Sequence, residues 1–388
     1  MLSFFTPQGP CTDAAVYLSL GHAAATTGTH WNNLRPIGAI QYFSIPYRLG
    51  LPPESIILAN VALALLSSWL GYLALGSLTN HSLNRATRWL CVIVPALLFM
   101  AVPSGYALTD VPAASFALIG TWSLILAQRR PNGWVEFAGG LFLGLAVIFR
   151  IAYLNPVLAT ALVYVFYRLR QTSFPKSLML AFVCGLLLTV GPQYYLTFMQ
   201  TGHWSLVDRQ IMSDSTAYEL TSYLSKTAGI DFDTDCIASP RLYNTACVDA
   251  SLSLKGAMES GDIAGLSCLF TKRQYFYFGS YEPGFIYYPD VLHKSLRTFS
   301  PAIAFVNVLL LAFSTIFVLV AKKDCRPILL VASLFVALNW ATATIVHSEF
   351  RYMMVPHVWI TTCGLAGAAR ILSGAVASGN RSRPAECR

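Results

Sequence analysis

The chain has 388 residues, of which 55% are hydrophobic and 11% are charged, and its formal net charge is +8. Soluble domains carry about 25% charged residues, so this composition excludes a soluble globule of the same size and requires lipid to cover much of the surface. The Lys and Arg residues lie in short gaps between apolar runs rather than in one patch, which argues against a nucleic-acid partner and is typical of membrane topology signals.

Nine stretches are apolar enough to be read as membrane spans, for which about 20 residues are needed. They lie at 56–77, 89–106, 110–127, 135–150, 153–168, 178–199, 301–321, 327–346 and 353–372. The stretches 135–150 and 153–168 are short, so one of the two need not cross fully. The sequence therefore predicts an all-α polytopic membrane protein with about nine transmembrane helices, interfacial helices and an extracytoplasmic loop domain.

Alternate gaps between the spans are rich in Lys and Arg, and such gaps are cytoplasmic in most membrane proteins. Their basic residues are Arg85, Arg88, Arg129, Arg130, Arg168, Arg170, Lys176, Lys322, Lys323, Arg326, Arg370, Arg381, Arg383 and Arg388. The other short gaps hold little beyond Arg150 and Arg351, so we expect them on the outer side together with residues 1–55. An outer N-terminal segment normally needs a preceding span, so we also expect a spanning helix before Met1.

These features divide the chain into three regions. Residues 1–199 are predicted to form an N-terminal membrane region, with a first extracytoplasmic segment (1–55) and six spans. Residues 200–300 are predicted to form an extracytoplasmic loop region. Residues 301–388 hold the last three spans and a cytoplasmic tail.

The loop region 200–300 leaves two alternatives open. Its cysteines can form a disulfide, such as Cys236 to Cys247, if the loop faces an oxidising compartment. An alternating acidic run from Asp231 to Asp235 has the ligand type for a divalent cation. That run lacks the Gly and the distal Glu of an EF-hand, which favours a solvated loop. The sequence thus predicts no definite cofactor and leaves a divalent cation open.

Two polar motifs precede the first span. Asp13 and Tyr17 share one face of a predicted helix, where a carboxylate at the start of an interfacial helix can act as a general base or as an N-cap. Arg35 precedes Pro36, a residue favoured in the first turn of a helix. The Arg35 guanidinium can hold a phosphate through two hydrogen bonds or extend along the membrane interface.

Charged groups at the outer span ends are further candidates, because ionisable residues are unfavourable there unless they have a function. Asp110 begins a span, where N-capping competes with a functional role. Arg150 is the lone charge at its outer turn, which favours phosphate binding or an ion pair. A polar cluster also occupies the last outer turn and is expected to face a cavity. It consists of His347, Glu349, Arg351, Tyr352 and His357.

In this order the motifs resemble the GT-C superfamily of membrane glycosyltransferases, in particular the bacterial aminoarabinose and mannosyl transferases that use polyprenyl-phosphate sugars. The motifs are Asp13-x-x-x-Tyr17, Arg35-Pro36-x-Gly38, Asp110 at a span start, Gly139-Gly140-x-x-x-Gly144 leading to Arg150, and Arg351-Tyr352-x-x-x-Pro356. Two features depart from the family. It usually has a spanning helix before its first acidic motif, and that motif often carries two acidic residues, whereas here Thr12 precedes Asp13.

The resemblance implies an inverting hexosyl- or pentosyltransferase in the plasma (inner) membrane, with its active site on the periplasmic side. It implies a polyprenyl-phosphate sugar as donor and a lipid, glycan or protein as acceptor. Asp13 would be the catalytic base, and Asp110 would position acceptor or sugar hydroxyls. The implied substrate-binding residues are Tyr17, Arg35, Arg150, His347, Glu349, Arg351 and Tyr352.

Two other classes of membrane protein share part of the pattern. A transporter or flippase places polar groups near the bilayer midplane, in broken helices, whereas here the charges lie at span ends. An O-antigen polymerase or ligase would carry its main residues in the large outer loop, whereas here the motifs lie outside that loop.

Overall fold

The computed structural model describes the chain in ten stretches. These are residues 12–28, 35–79, 82–101, 103–105, 108–129, 131–171, 175–207, 300–321, 324–345 and 353–381. Within them the regular structure is entirely helical, with eleven α-helices and no strand. The protein is thus an all-helical membrane protein, as its sequence predicts.

Two short helices precede the first long apolar one. They are α1 (Thr12–Thr26) and α2 (Ile37–Arg48). The first long apolar helix is α3 (Ser55–Leu78), and α4 (Arg85–Ala96) follows it. Four helices then follow in close succession. They are α5 (Asp110–Arg129), α6 (Gly133–Phe149), α7 (Leu154–Arg170) and α8 (Lys176–Thr201). The last three helices are α9 (Ser300–Leu319), α10 (Arg326–Ile345) and α11 (Met354–Arg381).

Each predicted span overlaps a helix, but the helices differ in length. Among the described residues, five helical segments are long and apolar enough to cross a membrane. They are α3, α5, α7 with the turn before it, α8 and α9. Helix α6 and the first part of α10 are shorter apolar helices. Of the two stretches predicted to be short, the second therefore meets the length criterion and the first does not.

The predicted span 89–106 is not one continuous α-helix. Helix α4 ends at Ala96, and a π-helical turn (Leu97–Ala101) and a 3₁₀ turn (Pro103–Gly105) follow it. Pro95 lies within the last turn of α4. Proline has no N–H to donate, and its ring clashes with the preceding turn, so the α-helical pattern is interrupted here.

Helix α5 is the central helix of the bundle. It is buried along almost its whole length and packs between α3 and α6. Large apolar side chains on the peripheral helices are exposed instead, such as Leu58 on α3, Leu162 on α7 and Leu187 on α8. Exposing so much apolar surface to water is unfavourable, so these faces are suited to contact lipid.

Glycines bring α6 and α8 into backbone contact. A Cβ atom on Gly140 of α6 would overlap the carbonyl oxygen of Phe182, and one on Gly185 of α8 would overlap that of Phe137. Gly140 and Gly144 have the spacing at which small residues let membrane helices approach closely. This packing fixes the C-terminal end of α6, where Arg150 follows, relative to α8.

Helices α1 and α2 form a hairpin that packs on the same end of α6. The ring of Tyr17 stacks on Phe43, with the ring centroids 5.2 Å apart. A Cβ atom on Gly38 of α2 would lie 2.7 Å from Cγ1 of Ile148 on α6. The hairpin therefore brings the start of α2, with Arg35 just before it, to the ends of α5 and α6.

Candidate functional site

An ion pair between Asp110 and Arg150 joins the start of α5 to the end of α6. Asp110 is the first residue of α5, where the helix dipole favours a negative charge. Arg150 follows α6 in extended backbone, at φ −150°, and its Nη1 donates to Oδ1 of Asp110. The Asp110 side chain is 1% exposed, whereas that of Arg150 is 14% exposed. The carboxylate is thus enclosed, while the arginine reaches the surface.

Tyr17 connects a second arginine to this pair. Nη1 of Arg35 donates to the Tyr17 hydroxyl at 3.1 Å, and the Arg35 guanidinium carbon lies 4.9 Å from the centroid of the Tyr17 ring. The hydroxyl of Thr109, the residue before Asp110, donates to the same Tyr17 oxygen at 3.4 Å. The structure therefore brings together four of the predicted site residues, Tyr17, Arg35, Asp110 and Arg150. We call these four residues and Thr109 the motif end.

The other predicted catalytic residue is placed only through its backbone. Asp13 lies in the first turn of α1, one helical turn before Tyr17, and its side chain is outside the described residues. Four predicted substrate-binding residues also lie outside the described part of the chain. These are His347, Glu349, Arg351 and Tyr352. The predicted disulfide partners and the acidic run of the loop region lie outside it as well.

His357, the remaining member of the predicted polar cluster, is described, and it is buried. It belongs to the first turns of α11, and its ring stacks on Phe99 with the centroids 5.0 Å apart. Phe99 belongs to the π-helical turn that follows α4. His357 thus packs the start of α11 against the irregular end of the α4 segment.

A second arginine–carboxylate pair, between α6 and α7, lies near the opposite end of α5. Nη2 of Arg168 donates to Oε1 of Glu136 at 2.9 Å. The Tyr164 hydroxyl donates to Oε2 of Glu136 at 2.5 Å and accepts from Nε of Arg168 at 2.9 Å. Nη1 of Arg168 donates to Gln128 of α5 at 2.7 Å. We call Gln128, Glu136, Tyr164 and Arg168 the basic end.

The basic end is a closed network that ties α5, α6 and α7 together. The side chains of Arg168 and Glu136 are 1% and 0% exposed, and the three nitrogens of the guanidinium each have a partner. Arg168 is predicted from the sequence only as a topology signal, and Glu136 is not among the predicted site residues. An acidic residue one turn inside an apolar run was the signal that could have found it.

Metal binding has no support in the described part of the chain, where no group of three or more His, Cys, Asp and Glu residues could hold an ion. The motif end instead offers guanidinium, hydroxyl and carboxylate groups. Such groups bind anions and hydroxyl-bearing ligands through charge-assisted hydrogen bonds.

No protein-family model and no curated protein matches this chain. Among solved structures, the chain is similar to the crystal structure of ArnT from Cupriavidus metallidurans bound to undecaprenyl phosphate. The match covers 96% of this chain and 76% of that chain, at 14% sequence identity and a TM-score of 0.41. A likeness at this level does not define a function, so the function of this chain is inferred from its own residues.

Proposed function

We propose that this chain is a membrane glycosyltransferase that moves a sugar from a polyprenyl-phosphate donor to an extracytoplasmic acceptor. The convergence at the motif end carries this proposal. Arg35, Tyr17, Asp110 and Arg150 come from distant parts of the chain and meet at one end of an apolar helical bundle. Their types and their order are those of the glycosyltransferase superfamily that the sequence resembles.

The donor phosphate would be held by Arg150 and Arg35. A guanidinium group matches phosphate oxygens with two parallel N–H donors, and Arg150 reaches the surface through the exposed part of its side chain. The donor's hydrocarbon tail would lie against the lipid-facing sides of the bundle. As the polyprenyl phosphate leaves, its growing negative charge would be stabilised by these two cations.

Asp13 would act as the general base. Its carboxylate would take the proton from the acceptor hydroxyl, and the hydroxyl oxygen would attack the anomeric carbon of the sugar. The bond between that carbon and the phosphate oxygen would break, and the polyprenyl phosphate would keep the electron pair. Attack from the face opposite the leaving group inverts the anomeric configuration.

Asp110 would help to position the substrate. Its ion pair with Arg150 fixes the direction of that guanidinium, and because the carboxylate itself is enclosed, it would position acceptor or sugar hydroxyls through Arg150. Asp110 would therefore act on the position of the substrate rather than on the proton that is transferred.

We place the motif end on the periplasmic side of the inner membrane. The opposite end holds Arg129, Arg168 and Arg170 at the ends of α5 and α7, and Lys176 at the start of α8. Such basic clusters remain in the cytoplasm as a membrane protein inserts. A periplasmic site suits an acceptor outside the cytoplasm.

A transfer assay with the full chain in liposomes tests the proposal. We expect transfer of labelled sugar from a polyprenyl-phosphate donor to an envelope-lipid or glycan acceptor by the wild-type protein. Asp13→Asn should lower the rate by about 10²–10⁴-fold, the range for loss of a general base.

Asp324→Asn is the matched control, because Asp324 is exposed at the other end of the bundle. It should transfer sugar at the wild-type rate. Unchanged transfer by Asp13→Asn would remove Asp13 from the mechanism. Movement of the donor lipid across the bilayer without any sugar transfer would contradict the proposal and favour a flippase.

A further inference from the structure

Gln193 is a buried polar residue in α8 that is not among the predicted site residues. It follows Pro192 and is 1% exposed. Its side-chain oxygen accepts a hydrogen bond from the backbone N–H of Ile37 at 2.6 Å. Its side-chain nitrogen donates to the carbonyl oxygen of Leu206, also at 2.6 Å. One amide group therefore joins two segments of the chain that are far apart in sequence.

The first of these segments is the start of α2. Ile37 is its first residue, and its N–H is among those that the helix itself cannot satisfy. Pro36, the residue before it, has no N–H. Gln193 thus supplies the acceptor at the start of this helix, only two residues after Arg35. The backbone that carries Arg35 is held here by α8, while Tyr17 of α1 contacts the Arg35 side chain.

The second segment is the turn that leaves α8. Gly202 ends the helix in the left-handed conformation, at φ 73°, and the chain then folds back so that Leu206 and Val207 are buried. Thr197 also donates to the Leu206 carbonyl, at 3.2 Å. The turn is therefore held by two donors, whereas the Ile37 N–H is held by Gln193.

We propose that Gln193 is a positioning residue for Arg35. Its amide fixes the start of α2 against the end of α8, so that the Arg35 guanidinium stays beside Tyr17 where it can meet the donor phosphate. This inference rests on the proposed function of Arg35. A polar residue that only fills a cavity in the core would affect stability without changing the affinity for donor.

Three substitutions distinguish the effects of the two hydrogen bonds that the Gln193 amide makes, one with Ile37 and one with Leu206. Gln193→Leu removes both. Gln193→Glu keeps the acceptor for the Ile37 N–H. Thr197→Val removes one donor to Leu206 and the acceptor of a 3.4 Å contact from the Gln193 side-chain nitrogen, and it leaves the bond from Ile37 to the Gln193 oxygen intact.

Steady-state kinetics with the polyprenyl-phosphate sugar give the first test. We expect Gln193→Leu to raise KM for the donor about tenfold with little change in kcat, since Arg35 would hold the phosphate equally in the ground and transition states. Gln193→Glu should stay within about twofold of the wild-type KM, and Thr197→Val should match the wild type. A rise as large in Gln193→Glu as in Gln193→Leu would overturn the proposal, as would an unchanged KM in Gln193→Leu.

A double substitution distinguishes positioning from a separate structural effect. In an Arg35→Ala protein the group to be positioned is gone, so Gln193→Leu should raise KM no further. Effects that multiply would show that the two residues act independently and would contradict the inference.

Hydrogen exchange supplies a readout that needs no substrate. The backbone amide of Ile37 should exchange faster in Gln193→Leu than in the wild type, and at the wild-type rate in Thr197→Val. If the wild-type chain transfers no sugar from any polyprenyl-phosphate donor, the proposed function fails, while exchange still tests the link between Gln193 and α2. Equal exchange rates at Ile37 in the wild type and in Gln193→Leu would show that Gln193 does not hold the start of α2, whether or not the chain is an enzyme.

Discussion

An arginine–carboxylate pair lies near each end of α5, and the two pairs differ in how far they are enclosed. At the basic end, Arg168 and Glu136 are enclosed by three helices, and Tyr164 bonds to both of them. At the motif end, Asp110 is enclosed, but Arg150 reaches the surface, and a second arginine, Arg35, is brought close through Tyr17. The first arrangement is closed within the bundle, while the second leaves two guanidinium groups partly exposed.

A charged residue at the end of a membrane helix can either join helices through a buried pair or remain accessible to a ligand. A buried pair is stable only when its remaining hydrogen-bonding groups are also satisfied, and the basic end meets this condition through Gln128 and Tyr164. A binding site must instead keep some donors accessible. The type of residue alone does not distinguish the two cases, whereas the degree of enclosure does.

The largest stability effect should come from breaking the enclosed pair. Arg168→Leu leaves Glu136 buried without its cation, and the loss of one partner of a buried pair costs about 3–5 kcal/mol. We expect a large fall in the midpoint of thermal unfolding in detergent. Arg150→Leu should lower it less, because Asp110, although enclosed, lies in the first turn of α5, where the helix dipole still stabilises its negative charge. Equal losses in the two variants would show that the ends do not differ as described.

The double substitution Glu136→Leu with Arg168→Leu is the matched control. It removes both charges, so no uncompensated ion stays buried, and it should recover much of the stability lost in Arg168→Leu. A double variant as unstable as the single one would mean that the network acts through its shape rather than its charges.

A smaller effect should follow from separating α6 and α8, the helices that fix the position of the motif end. Gly185→Ala places a methyl group against the backbone of Phe137, and overpacking of this kind costs about 1–3 kcal/mol. Gly191 lies on the same helix, and a Cβ atom there would meet no atom within 4 Å.

Gly191→Ala should cost far less than Gly185→Ala, because the gain in helix propensity offsets the strain of a Cβ atom on a helical residue before Pro192. Unfolding midpoints of the two variants give the comparison. Equal stabilities for Gly185→Ala and Gly191→Ala would contradict the close packing of α6 on α8.

Much of the fold could be predicted because apolar length is a direct signal of a membrane helix. The predicted spans overlap helices, and Asp110 and Arg150 stand out because the gaps predicted to lie on the outer side hold few charges. Within the predicted span 89–106, the α-helical pattern changes after Pro95 to a π-helical turn, because proline cannot donate the backbone hydrogen bond of an α-helix.

The partners of the site residues could not be predicted from the sequence. The pair of Asp110 with Arg150 joins residues 40 positions apart, and the bond of Gln193 to Ile37 joins residues 156 apart. Helical spacing relates only neighbours three or four residues apart. Thr109 and Gln193 carry no charge, and uncharged polar residues occur both at helix ends and within spans, where they give no signal of their own.

Binding of a polyprenyl phosphate to the full chain in lipid nanodiscs tests the central claim most directly. The motif end should hold the phosphate through charge-assisted hydrogen bonds, so Arg150→Gln should weaken binding about tenfold or more. Arg170→Gln, an exposed arginine near the basic end, should bind as the wild type does. Wild-type affinity in Arg150→Gln, or equal weakening in both variants, would contradict the assignment of the phosphate to the motif end.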